Sequence, residues 1–132
     1  ALYRVRPGSL IFDYERQLID GLEVIDRGHR PDPRVPRPNP QHVNGLPVEG
    51  RSTARIYHVC WVAGSLLAHQ QDARPLLELI EDEHAPELVP RSLARILFNA
   101  SLLPGARVPH QAWELWPAIA QPVRDFLVAL ER

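Results

Sequence analysis

The fold of this chain is decided by residues 56–68, which read IYHVCWVAGSLLA. Apolar side chains recur in this stretch every three or four residues and on more than one face. A helix that is apolar on most of its circumference belongs in the middle of a bundle. We expect this helix to begin with Ser52 as its N-cap residue and to run to about Gln70. It is therefore the predicted hub of the core.

Apolar residues at helical spacing also predict a first helix over residues 9–27. Ser9 is a suitable N-cap residue for it, and Gly28 suits the position just after a helix C-terminus. A proline- and arginine-rich segment, residues 28–50, lies between this helix and the hub. We therefore expect the first helix to end at residue 27.

Further helical patterns follow the hub. Asp72 is expected to cap a third helix, and a fourth starts near Pro90 or Ser92. The C-terminal segment has a three-four apolar spacing, but Pro117 and Pro122 interrupt it, so we expect two short helices or one kinked helix there. The chain length fits one core. The sequence thus predicts a single all-α domain over 1–132, a small irregular bundle of four to five helices.

A proline- and arginine-rich segment separates the first helix from the rest. Its prolines are Pro31, Pro33, Pro36, Pro38, Pro40 and Pro47. Because proline lacks an amide donor and has a fixed φ, we expect residues 28–50 to form a long extended arm. The helical core then occupies 51–132. Loops of this length in compact domains are usually functional or disordered.

Formal charge is divided unevenly along the chain. Residues 27–51 carry five arginines against two acids, a formal +3, and residues 72–87 carry six acids against one arginine, a formal −5. These segments could meet within one molecule, or each could face a different partner. The net charge of the whole chain is −1, which gives no general attraction to nucleic acid or to an anionic membrane.

The amino-acid composition gives information about the source of the protein and its cellular location. The 15 basic residues are all arginine and methionine is absent, a bias that favours a GC-rich bacterial or phage source. The single cysteine, Cys60, excludes an internal disulfide. The longest nearly apolar run, Ile56 to Ala68, is shorter than the roughly 20 residues that span a bilayer. We therefore expect no membrane association and a cytoplasmic location.

The candidate metal ligands are Glu81 and His84, with His58 and His69 as weaker candidates. Glu81 and His84 would lie one turn apart on the third helix, as in di-iron bundles, although those proteins use two such pairs and two further glutamates. The alternative interpretation is that these residues decorate helix ends, and we predict no cofactor. Cys60 could act as a nucleophile, but a buried cysteine is more often a small apolar residue.

These patterns favour a non-enzymatic interaction protein, such as a small subunit, adaptor, inhibitor or regulator. The sequence contains no signature of a catalytic nucleophile or a phosphate-binding loop. We expect a protein partner and predict that it contacts Arg30, Arg34, Arg37, Glu78, Glu81, Asp82, Trp113 and Trp116. The two tryptophans belong either to the core or to a homodimer face.

Two alternative functions remain open at this point. One is a metal-binding helical enzyme or sensor that uses Glu81 and His84. The other is a nucleic-acid-binding accessory protein, because arginine forks suit phosphate. The proline-rich segment has no interleaved aromatic residues to stack on bases, so we do not expect nucleic acid as the partner.

Overall fold

The computed structural model describes residues 13–86, 88–102 and 109–131, with the side chains of 102, 109–113 and 115 left out. Within these ranges the chain is helical and contains no β-strand, which confirms the all-α prediction. The α-helices are α1 (Tyr14–Gly28), α2 (Glu49–Ala68), α3 (Pro90–Leu102) and α4 (Pro109–Leu130). Two 3-10 helices span Pro40–His42 and Arg74–Ile80.

Helix α1 begins one residue after Asp13, whose carboxylate caps it by accepting the amide of Arg16 at 3.0 Å. The helix ends at Gly28, one residue beyond the predicted end. The predicted cap Ser9 and the rest of 9–12 lie outside the described residues. Leu18 is the buried residue of this helix, which lies against α2.

Helix α2 is the hub of the core, because α1, α3, α4 and the Arg74–Ile80 helix all pack against it. Its buried residues are Ile56, Val59, Cys60, Val62, Ala63, Gly64, Ser65 and Leu67. The helix begins at Glu49, and Val48 occupies the N-cap position without a side-chain bond. The predicted capping role of Ser52 is therefore wrong: its hydroxyl donates to Glu83 at 2.6 Å.

Two glycines let neighbouring helices approach α2 closely. A Cβ on Gly64 would lie 2.5 Å from the Cβ of Ala100 and 2.8 Å from the backbone oxygen of Leu97. A Cβ on Gly21 of α1 would overlap the ring of His58, at 2.1 Å from Nε2. The contacts at Gly64 are with a Cβ and backbone atoms, so the crossing of α2 and α3 depends on glycine. At Gly21 a side chain would displace the ring of His58, which donates to Gln17 O.

Helix α2 ends in a Schellman motif. The amide of Gln70 donates to Leu67 O and the amide of Gln71 donates to Leu66 O, both at 3.0 Å. Gln70 has a φ of 57°, the left-handed conformation that this motif requires and that glycine usually supplies.

The third helix differs from the prediction. It is a 3-10 helix over Arg74–Ile80, and Glu81 and His84 lie beyond its end. Consecutive acids disfavour a helix C-terminus because the helix dipole is negative there. The residue before Pro86 is also pushed away from helical geometry. Asp72 does accept the amide of Arg74 at 3.0 Å, so it stabilises the start of this helix as expected.

The C-terminal segment forms one helix, α4, and not two short ones. Pro117 and Pro122 lie inside it, and both are exposed. Ile119, Val123 and Phe126 form its buried face. Both prolines therefore lie on the side of α4 that faces away from the core.

Candidate interaction surface

The proline-rich segment is a closed loop. The amide of Leu46 donates to the backbone oxygen of Gly28 at 2.7 Å, and Nδ1 of His29 donates to the backbone oxygen of Pro47 at 2.7 Å. These bonds join the end of α1 to the residues just before α2. The prediction of an extended arm over 28–50 is therefore wrong. We call residues 29–47 the proline loop.

Gly45 makes this closure possible. Its φ is 83°, and a Cβ at this position would lie 2.5 Å from the backbone nitrogen of Arg30. Only glycine combines that backbone conformation with such a close approach. The chain can therefore turn back onto Arg30 and return to the base of the loop.

Local turns hold the interior of the loop. Asn39 Oδ1 accepts the amide of Gln41 at 2.9 Å, and Asn39 O accepts the amide of His42 at 2.8 Å. The amide of Gly45 then donates to His42 O at 2.9 Å. Side-chain and backbone turns of this kind satisfy the backbone without a helix or sheet. The loop is consequently ordered despite its prolines.

Asp32 and Arg34 form a clasp inside the loop. Arg34 donates from Nε to Oδ1 at 2.9 Å and from Nη2 to Oδ2 at 2.6 Å, and its amide also reaches Oδ1 at 3.0 Å. Asp72 and Arg74 repeat this arrangement, with side-chain distances of 2.9 and 2.8 Å. These hydrogen bonds hold the pKa of Asp32 well below its usual range and lower the pKa of Asp72 to about 2. Arg34, a predicted partner-binding residue, is therefore already bound to a carboxylate.

Arg30 and Arg37 are exposed, and neither has a carboxylate partner among the described residues. Arg30 lines a concavity of about 310 Å³ on the loop, together with Arg27, Val35, His42, Val43 and Leu46. Val35, Val43 and Leu46 are about half exposed, at 46%, 48% and 50%. The concavity thus combines the guanidinium group of Arg30, unpaired within the described residues, with apolar side chains.

An ionic cluster lies next to the base of the loop. It contains Asp26 of α1, Arg51 and Arg55 of α2, and Glu83. Arg55 binds Asp26 at 3.0 Å and also pairs with Glu83, while Arg51 binds Asp26 at 2.8 Å. Of the two alternatives for the positive and negative segments, a contact within one molecule is therefore present. It uses Arg51 with Glu83, at 3.7 Å, and neither Arg34 nor Arg37.

The acidic residues predicted to bind a partner are Glu78, Glu81 and Asp82. All are exposed, and no arginine or histidine pairs with them within the described part of the chain. We call residues 78–82 the acidic segment. Glu83, which directly follows it, is the acid that the cluster holds.

The metal-site hypothesis places Glu81 and His84 one turn apart on a helix. In the structure neither residue lies on a helix, because the 3-10 helix ends at Ile80. His58 Nε2 donates to Gln17 O at 3.0 Å, and His69 Nδ1 lies 2.9 Å from Ser65 O. Within the residues described, no three His, Cys, Asp or Glu side chains are grouped as metal ligands would be.

Cys60 is fully buried in the core. Burial raises the pKa of its thiol to about 12. Because the thiolate is the nucleophile, this cysteine is inert in the folded protein. Cys60 acts as a small apolar residue.

Of the two tryptophans predicted at a partner or homodimer face, Trp116 packs on the core. Its ring centroid lies 5.4 Å from that of Phe98, and the side chain also contacts the buried cluster around α2. The side chain of Trp113 lies outside the described residues. The structure therefore gives Trp116 a packing role.

Comparison of the chain with family models, curated proteins and solved structures found no match. Among the described helices, none has the length and apolar character needed to cross a bilayer. The functional argument consequently depends on the surface of the chain itself.

Proposed function

We propose that this protein is a non-enzymatic interaction module that binds a partner protein through the proline loop. The observation that carries this proposal is the pair of exposed arginines Arg30 and Arg37, which have no carboxylate partner within the described part of the chain, on a loop closed by its own hydrogen bonds. Arginine is enriched in protein interfaces. Its planar guanidinium group loses little conformational entropy for each hydrogen bond that it forms.

Preorganisation favours binding by this loop. A disordered proline-rich segment would lose conformational entropy when it bound. Here the bonds from Leu46 to Gly28 and from His29 to Pro47 have fixed the base already. Gly45 and Asn39 fix the turns between. Most of that entropy loss therefore occurs during folding.

The exposed groups define the chemistry of the partner. Free guanidinium groups favour carboxylates, which they bind in a bidentate manner. Val35, Val43 and Leu46 present apolar surface beside Arg30. The surface therefore suits an acidic protein segment that also carries an apolar side chain.

Affinity capture from the source cells tests the proposal. Immobilised wild-type protein is compared with the loop variant Arg30→Glu/Arg37→Glu and with the control Arg91→Glu/Arg95→Glu. The control changes the charge equally at two exposed positions of α3 that have no ion pair in the described structure. We expect wild type and control to retain the same partner and the loop variant to lose it. Equal retention by all three proteins would overturn the proposal.

Nucleic-acid binding by the same loop is less well supported. The proline loop contains no Trp, Tyr or Phe that could stack on bases. A salt-titrated gel shift distinguishes this activity from protein binding. The cytoplasmic location and the bacterial or phage source remain predictions from composition.

A further inference from the structure

We infer that the partner of the proline loop is the acidic segment of a second copy of this chain, in a twofold-symmetric dimer. This inference rests on the proposed function, because it identifies what the loop binds. It is carried by charges that stay uncompensated within one copy and by the positions of those charges.

The uncompensated charges are complementary. Arg30 and Arg37 on the loop have no acid, and Glu81 and Asp82 in the acidic segment have no base, among the residues described. Among the described residues, the oppositely charged segments of one copy meet through Arg51 and Glu83, which leaves both of these sets unpaired. Each copy thus presents one surface of each sign.

Both surfaces lie beside the same cluster. The loop ends at Pro47, four residues before Arg51, and the acidic segment ends one residue before Glu83. Arg51 Nη1 and Glu83 Oε1 are 3.7 Å apart. The end of the loop and the end of the acidic segment are therefore each joined to a member of this cluster within a few residues of chain.

This placement suits a twofold dimer. In such an interface each contact occurs twice, because the loop of one copy meets the acidic segment of the other and the reverse. Each copy must then present both charges, as this chain does with the loop and the acidic segment. Apolar surface is present on both sides, since Val43 is 48% exposed and Leu79 is 41% exposed. Charge alignment of this kind fixes the register of an interface.

A charge-exchange experiment tests the inference by sedimentation equilibrium over a range of protein concentrations. The loop variant Arg30→Glu/Arg37→Glu and the segment variant Glu81→Arg/Asp82→Arg should each raise the dimer Kd by at least about tenfold. An equimolar mixture of these two variants should restore a dimer, because both of its loop–segment contacts pair opposite charges. The fourfold variant should also dimerise.

The control Arg91→Glu/Arg95→Glu should dimerise like wild type, and circular dichroism checks that every variant is folded. A wild-type protein that stays monomeric at all concentrations would overturn the inference. So would a mixture that dimerises no better than its components. If wild type is monomeric and loop-dependent capture of another protein persists, the inference fails and the proposed function stands. If the loop variant changes neither measurement, both fail.

Discussion

Arg55 and Glu83 form an ion pair that is almost enclosed, with side chains 13% and 12% exposed. The pair links α2 to the turn after the Arg74–Ile80 helix. Ser52 donates to the other carboxylate oxygen, and Arg55 also binds Asp26 of α1. Three parts of the chain are therefore held together by the guanidinium group of Arg55 and the carboxylates of Glu83 and Asp26.

We predict that Glu83→Gln lowers the free energy of unfolding by about 2 kcal/mol, because it leaves a largely buried guanidinium short of a counter-charge. Urea denaturation followed by circular dichroism measures the change. Glu81→Gln is the matched control, since Glu81 is exposed and should change stability by less than about 0.5 kcal/mol. Equal effects of the two substitutions would contradict this role for Glu83.

Gln70→Gly should stabilise the protein by about 1 kcal/mol. Gln70 adopts a φ of 57° in the Schellman motif, where a side chain disfavours the left-handed conformation. Thermal unfolding is the measurement. Gln71→Gly is the control. Because Gln71 does not have a positive φ, glycine at this position only raises the chain entropy of the unfolded state, so this variant should not be stabilised. A destabilised Gln70→Gly variant would show that the side chain has another role.

Gly64→Ala should destabilise the fold by about 2 to 3 kcal/mol, because the added methyl would overlap Ala100 and the backbone oxygen of Leu97. Chemical denaturation measures this. Gly50→Ala is the matched control in the same helix. Its added Cβ would meet only His29 Cε1 at 3.5 Å, an ordinary contact, so this change should be neutral or mildly stabilising. Similar losses in both variants would contradict the close crossing of α2 and α3.

Because Asp72 is bound to Arg74, we expect the stability of the protein to fall at low pH. The pKa of Asp72 is lowered to about 2 from an ordinary 3.8, so its contribution to stability is present above the ordinary value and is lost as the pH falls through the lowered one. Melting temperatures of wild type and Asp72→Asn should therefore differ most above pH 4 and converge towards pH 2. A constant difference over that range would contradict the prediction.

The parts of the fold that follow from local pattern could be predicted from sequence. Residues 56–68 indicated a central helix because their apolar side chains cover most of its surface, and α2 is central. The prediction that Ser52 caps this helix rests on equally local grounds. Its real partner, Glu83, lies 31 positions away, and no local pattern reveals such a bond.

The candidate surface shows the same limit. The abundance of proline in residues 31–47 predicts an extended arm, but the loop is closed by two bonds between distant residues, from Leu46 to Gly28 and from His29 to Pro47. Gly45 was the available signal, since a glycine after Asn44 suits a turn with positive φ. The repeated Asp-x-Arg sequence at Asp32 and Asp72 was a second signal, because a carboxylate two residues before an arginine can bind both its amide and its side chain.

Because the loop is closed between Gly28 and Leu46, changes in the sequence of the loop need not affect the stability of the helices. Because the loop starts and finishes at the same point, residues 31–44 can be shortened, lengthened or exchanged without moving the ends of α1 and α2 apart, provided that Gly45 is kept. Binding specificity can then diverge among related chains while the helical core stays constant. The same property makes the base of this loop a suitable position for grafting a foreign recognition segment.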